Sequence, residues 1–520
     1  MKRIFITVKS IPAGELLAVL GLLIIGVFLF CYQLPLVSAV YDEKTVSLID
    51  AKYVVTNFRW DTLEASRYPP LLYYIFGWVY RAFPDGAFTQ RLFWGRMTLL
   101  PFYILGAVSV YLVVRRFFGK GCALVSLVLF LYNPEILAHG RLLKQDYLQA
   151  ITVFASAISY YLFLRQPTLR RLFLGGMILG IALLTKGSSL LLLPIYLVFT
   201  CLFIATKQMR YRSIPKVIGL FLVALVVLHA GYLFRETGHL PPTWQSQKFQ
   251  IVASTPFTRQ LLYLLPGAYL RGLDDAMQIS ESGWGSYLWG EKYFNGRWYY
   301  FPIVFMIKTP LSLLLLLIMA TIAWFNKKIS PPPLLMTMMV FLIASHFFYF
   351  MFFNRINHGL RYLLMVYPLI ILFIAPLWKL KVVSPEKLFR VRLGITSLLI
   401  WYVWGTISIA PHYLAYANEL IGGPKNLWKY VADSNIDWGQ DEIFLAQYLQ
   451  THPNVRQKID PTPGVGTFLV NVNNVNNFYY DEYRWLRQLK KDPVDNVGYS
   501  QLVFEVTDDD LRKINNQNPF

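Results

Sequence analysis

The sequence predicts a polytopic α-helical membrane protein with one small soluble α/β module at its C-terminal end. Three observations predict it. Hydrophobic residues make up 56% of the chain and charged residues only 15%, against roughly 25% charged in an ordinary soluble domain. Apolar runs of about bilayer length recur along the chain. The basic residues gather in the segments that join alternate runs, on one face of the implied membrane.

The runs are residues 14–36, 92–114, 121–138, 146–164, 171–185, 187–205, 214–234, 301–325, 334–353, 360–378 and 393–411. A bundle of about 11–13 transmembrane helices is therefore expected. Two runs are marginal: 171–185 is short, and 360–378 begins beside Arg361. The first run follows Lys2, Arg3 and Lys9, and Val37-Ser38-Ala39 offers the small residues of a signal-peptidase site. Its apolar core exceeds the ~7–15 residues of a cleavable signal, so a retained anchor is expected. Cys31, Cys122 and Cys201 lie in apolar runs at no metal-ligand spacing and say nothing of redox compartment.

A net charge of +20 would point a soluble protein toward nucleic acid. The distribution excludes that. With a cytoplasmic N-terminus and alternating spans, the cytoplasmic segments hold twenty basic residues, in clusters near 3, 116, 170, 210, 327 and 387, against one acid, Glu386. The basicity is a positive-inside signature. The aromatic run 69–83 cannot be a span on this scheme, because counting it would put the later clusters outside. It is expected to be an interfacial helix in the first outer loop.

The chain then divides into a transmembrane domain, residues 1–412, with outer loops 37–91 and 235–300, and an extracytoplasmic tail, 413–520. In the tail a helical stretch near Asp441–Gln450 and strand-like runs at Thr467–Val472 and Gln501–Val506 suggest a small α/β fold. The Asn-rich stretch Asn471–Asn477 reads as a polar loop, with an ordered turn as the alternative. No internal repeat is evident.

Charges beside a membrane are costly unless paired or functional, and the outer side collects them. Asp42-Glu43 follows the first span. The turn His139–Asp146 holds Arg141, Lys144 and Asp146. Arg67, Lys186, His358 and Arg361 stand at other outer edges. Each alone can be a snorkelling or flanking residue. Together they suit displacement of a lipid phosphate from an anomeric carbon, in which a carboxylate takes the proton of the incoming hydroxyl and cations hold the departing phosphate.

These residues resemble the polyprenyl-phosphate-sugar-dependent membrane glycosyltransferases of the GT-C type, which include protein O-mannosyltransferases and lipid A aminoarabinose transferases. The resemblance rests on Asp42-Glu43, Pro69-Pro70-Leu71, Arg141-Leu142 with Asp146, and Leu184-Thr185-Lys186-Gly187. Gly296–Pro302, Lys308-Thr309-Pro310 and Asp433–Asp441 look like a bacterial branch, with no role derivable from the sequence. Aminoarabinose transferases carry Lys before the prolines where this chain has Arg67-Tyr68, which weighs against that sugar.

The resemblance implies a GT-C fold and an enzyme of the inner membrane with its active site on the extracytoplasmic face. It implies inverting transfer from an undecaprenyl- or dolichyl-phosphate sugar to a hydroxyl of a protein, lipid or glycan. Asp42 would be the base, Glu43 its neighbour in the acidic pair and Asp146 a further carboxylate that helps place the acceptor. Arg67, Arg141, Lys144, Lys186, His358 and Arg361 would hold the donor phosphate. No metal site is expected: the chain has no HExxH-type cassette. Two rival readings are a multi-span transporter or flippase for a lipid-linked or anionic substrate, and an inactive relative. The sugar and the acceptor stay open.

Overall fold

The computed structural model describes residues 11–517 apart from 45–47, 62–66, 330–331, 382–383, 459 and 479–481. Lys2, Arg3 and Lys9 of the first basic cluster lie outside the described residues. Among the described residues, six helical segments are long and apolar enough to cross a bilayer unaided: Ala13–Leu36, Phe88–Phe118, Gln145–Arg165, Gly187–Ala205, Tyr211–Gly231 and Leu334–Phe352. Two bent pairs raise the number to as many as eight: Lys120–Leu131 with Pro134–Gly140, at 56°, and Tyr300–Lys308 with Leu311–Phe325, at 110°.

The expected count of eleven or more is thus too high by this measure. Run 171–185 folds as Leu169–Leu183, about 22 Å long at 1.5 Å per residue and short of a ~30 Å hydrocarbon core. Run 360–378 breaks into Leu360–Leu363, Val366–Ile374 and Ala375–Lys379. Run 393–411 belongs to Pro385–Ile407, whose first two turns carry Glu386, Lys387, Arg390 and Arg392.

The breaks have local causes. Pro134 occupies the first turn of its helix, where no N–H is needed, and Asn133 Oδ1 accepts Ile136 N at 3.0 Å as the cap. Thr309 is extended, as a residue before proline must be, and Pro310 starts the next helix at a new angle.

Helix Leu71–Ala82 confirms that run 69–83 does not span: its 12 residues reach about 18 Å. It lies against Leu48–Asn57, so closely at Gly77 that a Cβ there would fall 1.9 Å from Val55 Cγ1. Leu169–Leu183 and Ile214–Gly231 also meet through small residues, since a Cβ on Gly176 would come 2.6 Å from the Leu220 carbonyl.

Among the described residues, the predicted cytoplasmic clusters from Arg115 onward converge on one end of the bundle. Glu15 is buried there between Arg115, at 2.7 Å, and the Tyr111 hydroxyl, at 2.6 Å. Lys381 N donates to Lys328 O at 2.9 Å, and Lys216 Nζ to Pro167 O at 2.9 Å.

The tail carries a four-stranded sheet in the order Arg456–Gln457, Gly466–Asn471, Gln501–Val506, Asp495–Val497. Its first pair is parallel and the others antiparallel, with Phe468 opposite Phe504. Helix Glu442–Thr451 packs Leu445 against Leu469 and Val503. The Asn-rich stretch is an ordered turn and not a loose loop. Asn471 caps the short helix Val472–Val475, Asn473 Oδ1 accepts Asp433 N at 2.8 Å, and Asn476 Nδ2 donates to Trp428 O at 2.7 Å. Each amide satisfies a backbone group that would otherwise be buried unpaired.

Candidate active site

At the end of the bundle away from the basic clusters, separate segments bring two carboxylates and three cations together. Asp42 follows the first span. Lys144 immediately precedes helix Gln145–Arg165, and Asp146 lies in its first turn, where the helix N-terminus favours negative charge. Lys186 precedes the turn Gly187–Leu191, and Arg361 sits in Leu360–Leu363. Lys144 Nζ is 2.5 Å from Asp42 Oδ2, and Lys186 Nζ is 2.5 Å from Asp146 Oδ1. Arg361 Nη1 bridges them, 3.8 Å from Asp42 and 3.7 Å from Asp146. With these five groups ionised, the cluster has one positive charge to spare.

Burial works against every charge in it. For Asp42 the opposing charges of Lys144 and Arg361 outweigh burial and hold the carboxyl below its ordinary range. Lys144 and Arg361 are driven down by burial but end above their usual values, Lys144 through Asp42 and Arg361 through its neighbouring tyrosine and carboxylates. Lys186 goes the other way: burial lowers it despite Asp146.

Three aromatic rings cover these cations. Tyr68 lies over Lys144 at 4.9 Å, Tyr362 over Lys186 at 4.8 Å and Arg361 at 5.1 Å, and Trp438 over Arg361 at 4.4 Å and Lys144 at 5.8 Å. None of the three was singled out by sequence as a site residue.

The remaining expected residues divide. Glu43 is fully buried and turned away from the cluster. It binds Arg96 at 2.6 Å and accepts Val40 N at 3.0 Å and Leu143 N at 2.8 Å, tying the Asp42 loop to the Lys144 turn. Arg141 contacts Tyr32 O at 3.1 Å and the Tyr413 ring at 5.3 Å, not the two aspartates. His358 hydrogen-bonds Gly285 O at 2.8 Å and stands 3.9 Å from Asp433, at the margin of the cluster. Arg67 is half-buried beside Tyr68.

The stretch Asp433–Asp441 acquires a role. Gln440 O accepts Ser38 N at 2.8 Å and Trp438 O accepts Tyr41 N at 2.9 Å, so the loop bearing Asp42 is pinned on the residue just before it. Asn435 Oδ1 accepts Leu360 N at 3.1 Å, beside Arg361, and Ser434 Oγ donates to His358 O. Gly359 adopts φ +127°, and a Cβ there would lie 2.8 Å from Ser434 Oγ. Lys308 completes the joint by donating to Asn435 O at 2.6 Å and Leu414 O at 2.7 Å while pairing with Glu135 at 3.1 Å.

A separate cavity of about 850 Å³ opens between residues 34–44, 88–96 and 442–450, and none of the five cluster residues lines it. Among the described residues no group of three His, Cys, Asp or Glu side chains is arranged to hold a metal ion.

A bundle with two short helices, Leu48–Asn57 and Leu71–Ala82, after its first long helix, an acid–cation cluster at one end and a small α/β tail defines a polytopic α-helical membrane protein. The chain is similar to ArnT from Cupriavidus metallidurans bound to undecaprenyl phosphate, at 12% identity and a TM-score of 0.50, over 95% of this chain and 98% of that one. ArnT from the same organism in the apo state gives 13% identity and 0.48, over 85% and 73%. The Archaeoglobus fulgidus oligosaccharyltransferase, in complex with Zn and sulfate, gives 14% and 0.48, over 86% and 58%. Residues 68–232 match the family described as dolichyl-phosphate-mannose-protein mannosyltransferase. No curated protein sequence matches the chain significantly.

Proposed function

We propose that the protein is an inverting glycosyltransferase that moves a sugar from a polyprenyl-phosphate carrier to a hydroxyl acceptor at the extracytoplasmic face of the inner membrane. One observation carries this reading: Asp42 and Asp146 share Lys144, Lys186 and Arg361 at the bundle end remote from the basic clusters. The positive-inside distribution supports an extracytoplasmic position for that end and for the tail that follows residue 412.

In the proposed reaction Asp42 takes the proton of the acceptor hydroxyl, whose oxygen bonds to the anomeric carbon. The bond from that carbon to the phosphate oxygen breaks with its electron pair, and the polyprenyl phosphate leaves against the three cations. A base held low by Lys144 is a weak one. A donor phosphodiester brings the one negative charge that the cluster lacks, draws Lys144 and Arg361 toward itself and so returns basicity to Asp42. Glu43 acts as the strut of this loop, and Asp146 fixes Lys186 and helps place the acceptor.

The similarity to an ArnT whose structure holds undecaprenyl phosphate supports a lipid-phosphate donor. The test is incubation of the purified protein in nanodiscs with undecaprenyl- and dolichyl-phosphate sugars, reading release of free lipid phosphate. Release with none of a panel of hexoses and aminopentoses, across protein, lipid and glycan acceptors, would count against the proposal.

A further inference from the structure

The three rings over the three cations require an account of their own, because one of them comes from outside the transmembrane bundle. Trp438 belongs to the segment that leads into the tail sheet. Its side chain is 7% exposed. Its position is fixed through its own backbone: its N–H donates to Gln440 Oε1 at 2.7 Å, and its carbonyl accepts Tyr41 N at 2.9 Å. Behind it, Asp437 accepts from Asn471 Nδ2 at 2.7 Å and from Asn473 Nδ2 at 2.8 Å, anchoring the same turn on the tail. The backbone that carries the indole therefore cannot shift without disturbing either the tail or the peptide next to Asp42.

A buried cation is held by charges and also by ring faces, whose negative quadrupole offsets lost hydration without competing for its N–H donors. A carboxylate in the same place would neutralise Lys144 or Arg361 and compete with an incoming phosphate. A ring leaves the donors available. Tyr68, Tyr362 and Trp438 thus keep the cations charged, dry and aimed while the anion site stays electropositive.

Resting on the reading of this cluster as a lipid-phosphate site, we infer that Tyr68, Tyr362 and Trp438 form an aromatic cage that positions Lys144, Lys186 and Arg361 for the donor phosphate. Trp438 makes the tail an obligatory part of that site. It is a positioning residue, acting through Arg361 and Lys144.

The test compares Trp438→Leu, which keeps apolar bulk, with Trp438→Phe, which keeps a ring face. Tyr68→Leu and Tyr68→Phe repeat the comparison from the membrane side, so the cage is tested even if one Trp438 variant folds poorly. All are full-length proteins in nanodiscs. The first readout is the dissociation constant of undecaprenyl phosphate, and the second is reductive methylation of Lys144, followed by mass spectrometry without any ligand. The leucine variants are expected to bind about thirtyfold more weakly, the size of a desolvated cation–π contact, and to expose Lys144 to labelling. The phenylalanine variants should stay within about threefold of wild type, at unchanged Tm.

Leucine variants that bind as wild type and keep Lys144 equally protected would overturn the cage. So would equal losses in the leucine and phenylalanine forms, which would reduce the rings to packing. Labelling that separates leucine from phenylalanine in a wild-type background that binds no undecaprenyl phosphate would sustain the cage and refute the donor reading instead.

Discussion

Asp42→Asn removes one negative charge and proton acceptance while keeping the shape of the side chain. Lys144 then loses the partner at 2.5 Å, a gross attraction on the order of 7 kcal/mol at the effective dielectric typical of such sites. The net charge of the five-residue cluster rises from one positive charge to two. On the proposed reading that carboxylate competes with the donor phosphate for Lys144 and Arg361, so its removal should leave donor binding intact or tighten it. A tightening of about tenfold corresponds to ~1.4 kcal/mol, a fraction of the gross term because water and Asp146 take up part of the freed charge. Turnover should move the opposite way, falling by about 10²–10⁴, the usual contribution of a positioned general base. The assay is single-turnover transfer from a lipid-phosphate sugar, measured beside the dissociation constant of the donor in the same nanodisc preparation. Transfer near the wild-type rate would remove Asp42 as the base, and donor binding weakened tenfold or more would refute the competition argument.

Lys186→Met should weaken donor binding and leave Asp146 as a buried carboxylate short of a partner, lowering Tm as well. Arg141→Met should lower Tm and leave the donor dissociation constant unchanged, because its contacts are Tyr32 and Tyr413; a loss of donor affinity equal to that of Lys186→Met would return Arg141 to the site. Burial raises the Asp437 carboxyl from its ordinary 3.8 to about 7, against the amide of Asn471 and with Asp441 and Asp433 adding to the rise. The native state therefore holds this proton more tightly than the unfolded chain between about pH 4 and 7, and stability falls as pH rises through that window, by about 2 kcal/mol from pH 5 to 7. Thermal melts of Asp437→Asn should lack this component, and an identical pH dependence in variant and wild type would refute the assignment. A reporter fused after Phe520 should be active only if it works outside the cytoplasm, and activity of a cytoplasm-only reporter would invert the orientation.

The parts of the fold that were legible in the sequence are those governed by one-dimensional rules. The hydrocarbon thickness fixes how long a lipid-facing run must be, and the charge asymmetry correctly kept residues 69–83 out of the spans, as the helix Leu71–Ala82 shows. The count failed where tertiary packing overrides apolarity. A run such as 360–378 looks like a lipid-facing helix, yet Val366–Ile374 is buried along its whole length, and a segment shielded by protein need be neither long nor unbroken. The same limit explains the Asn-rich stretch. Polar composition signals a loop only when the amides face water, and here they answer buried backbone groups of the 428–437 segment.

At the site, the charged residues announced themselves because charge near a membrane is costly and therefore conspicuous. Asp42, Lys144, Asp146, Lys186 and Arg361 all came from that reasoning, and so did Glu43, which pairs with Arg96, and Arg141, which meets Tyr32 O and the Tyr413 ring. Sequence shows that a charge must be compensated but not by what. Compensation by a carboxylate such as Glu43 with Arg96 makes a strut, whereas compensation by ring faces leaves a cation available to a ligand. Tyr68, Tyr362 and Trp438 gave no signal, because a chain with 34 tyrosines and 14 tryptophans offers an aromatic residue near almost any position. The weak clue was the acid-rich stretch Asp433–Asp441 just beyond the last span. Its carboxylates and amides bind backbone and tail, and the ring among them, Trp438, is the group that lies over Arg361 and Lys144.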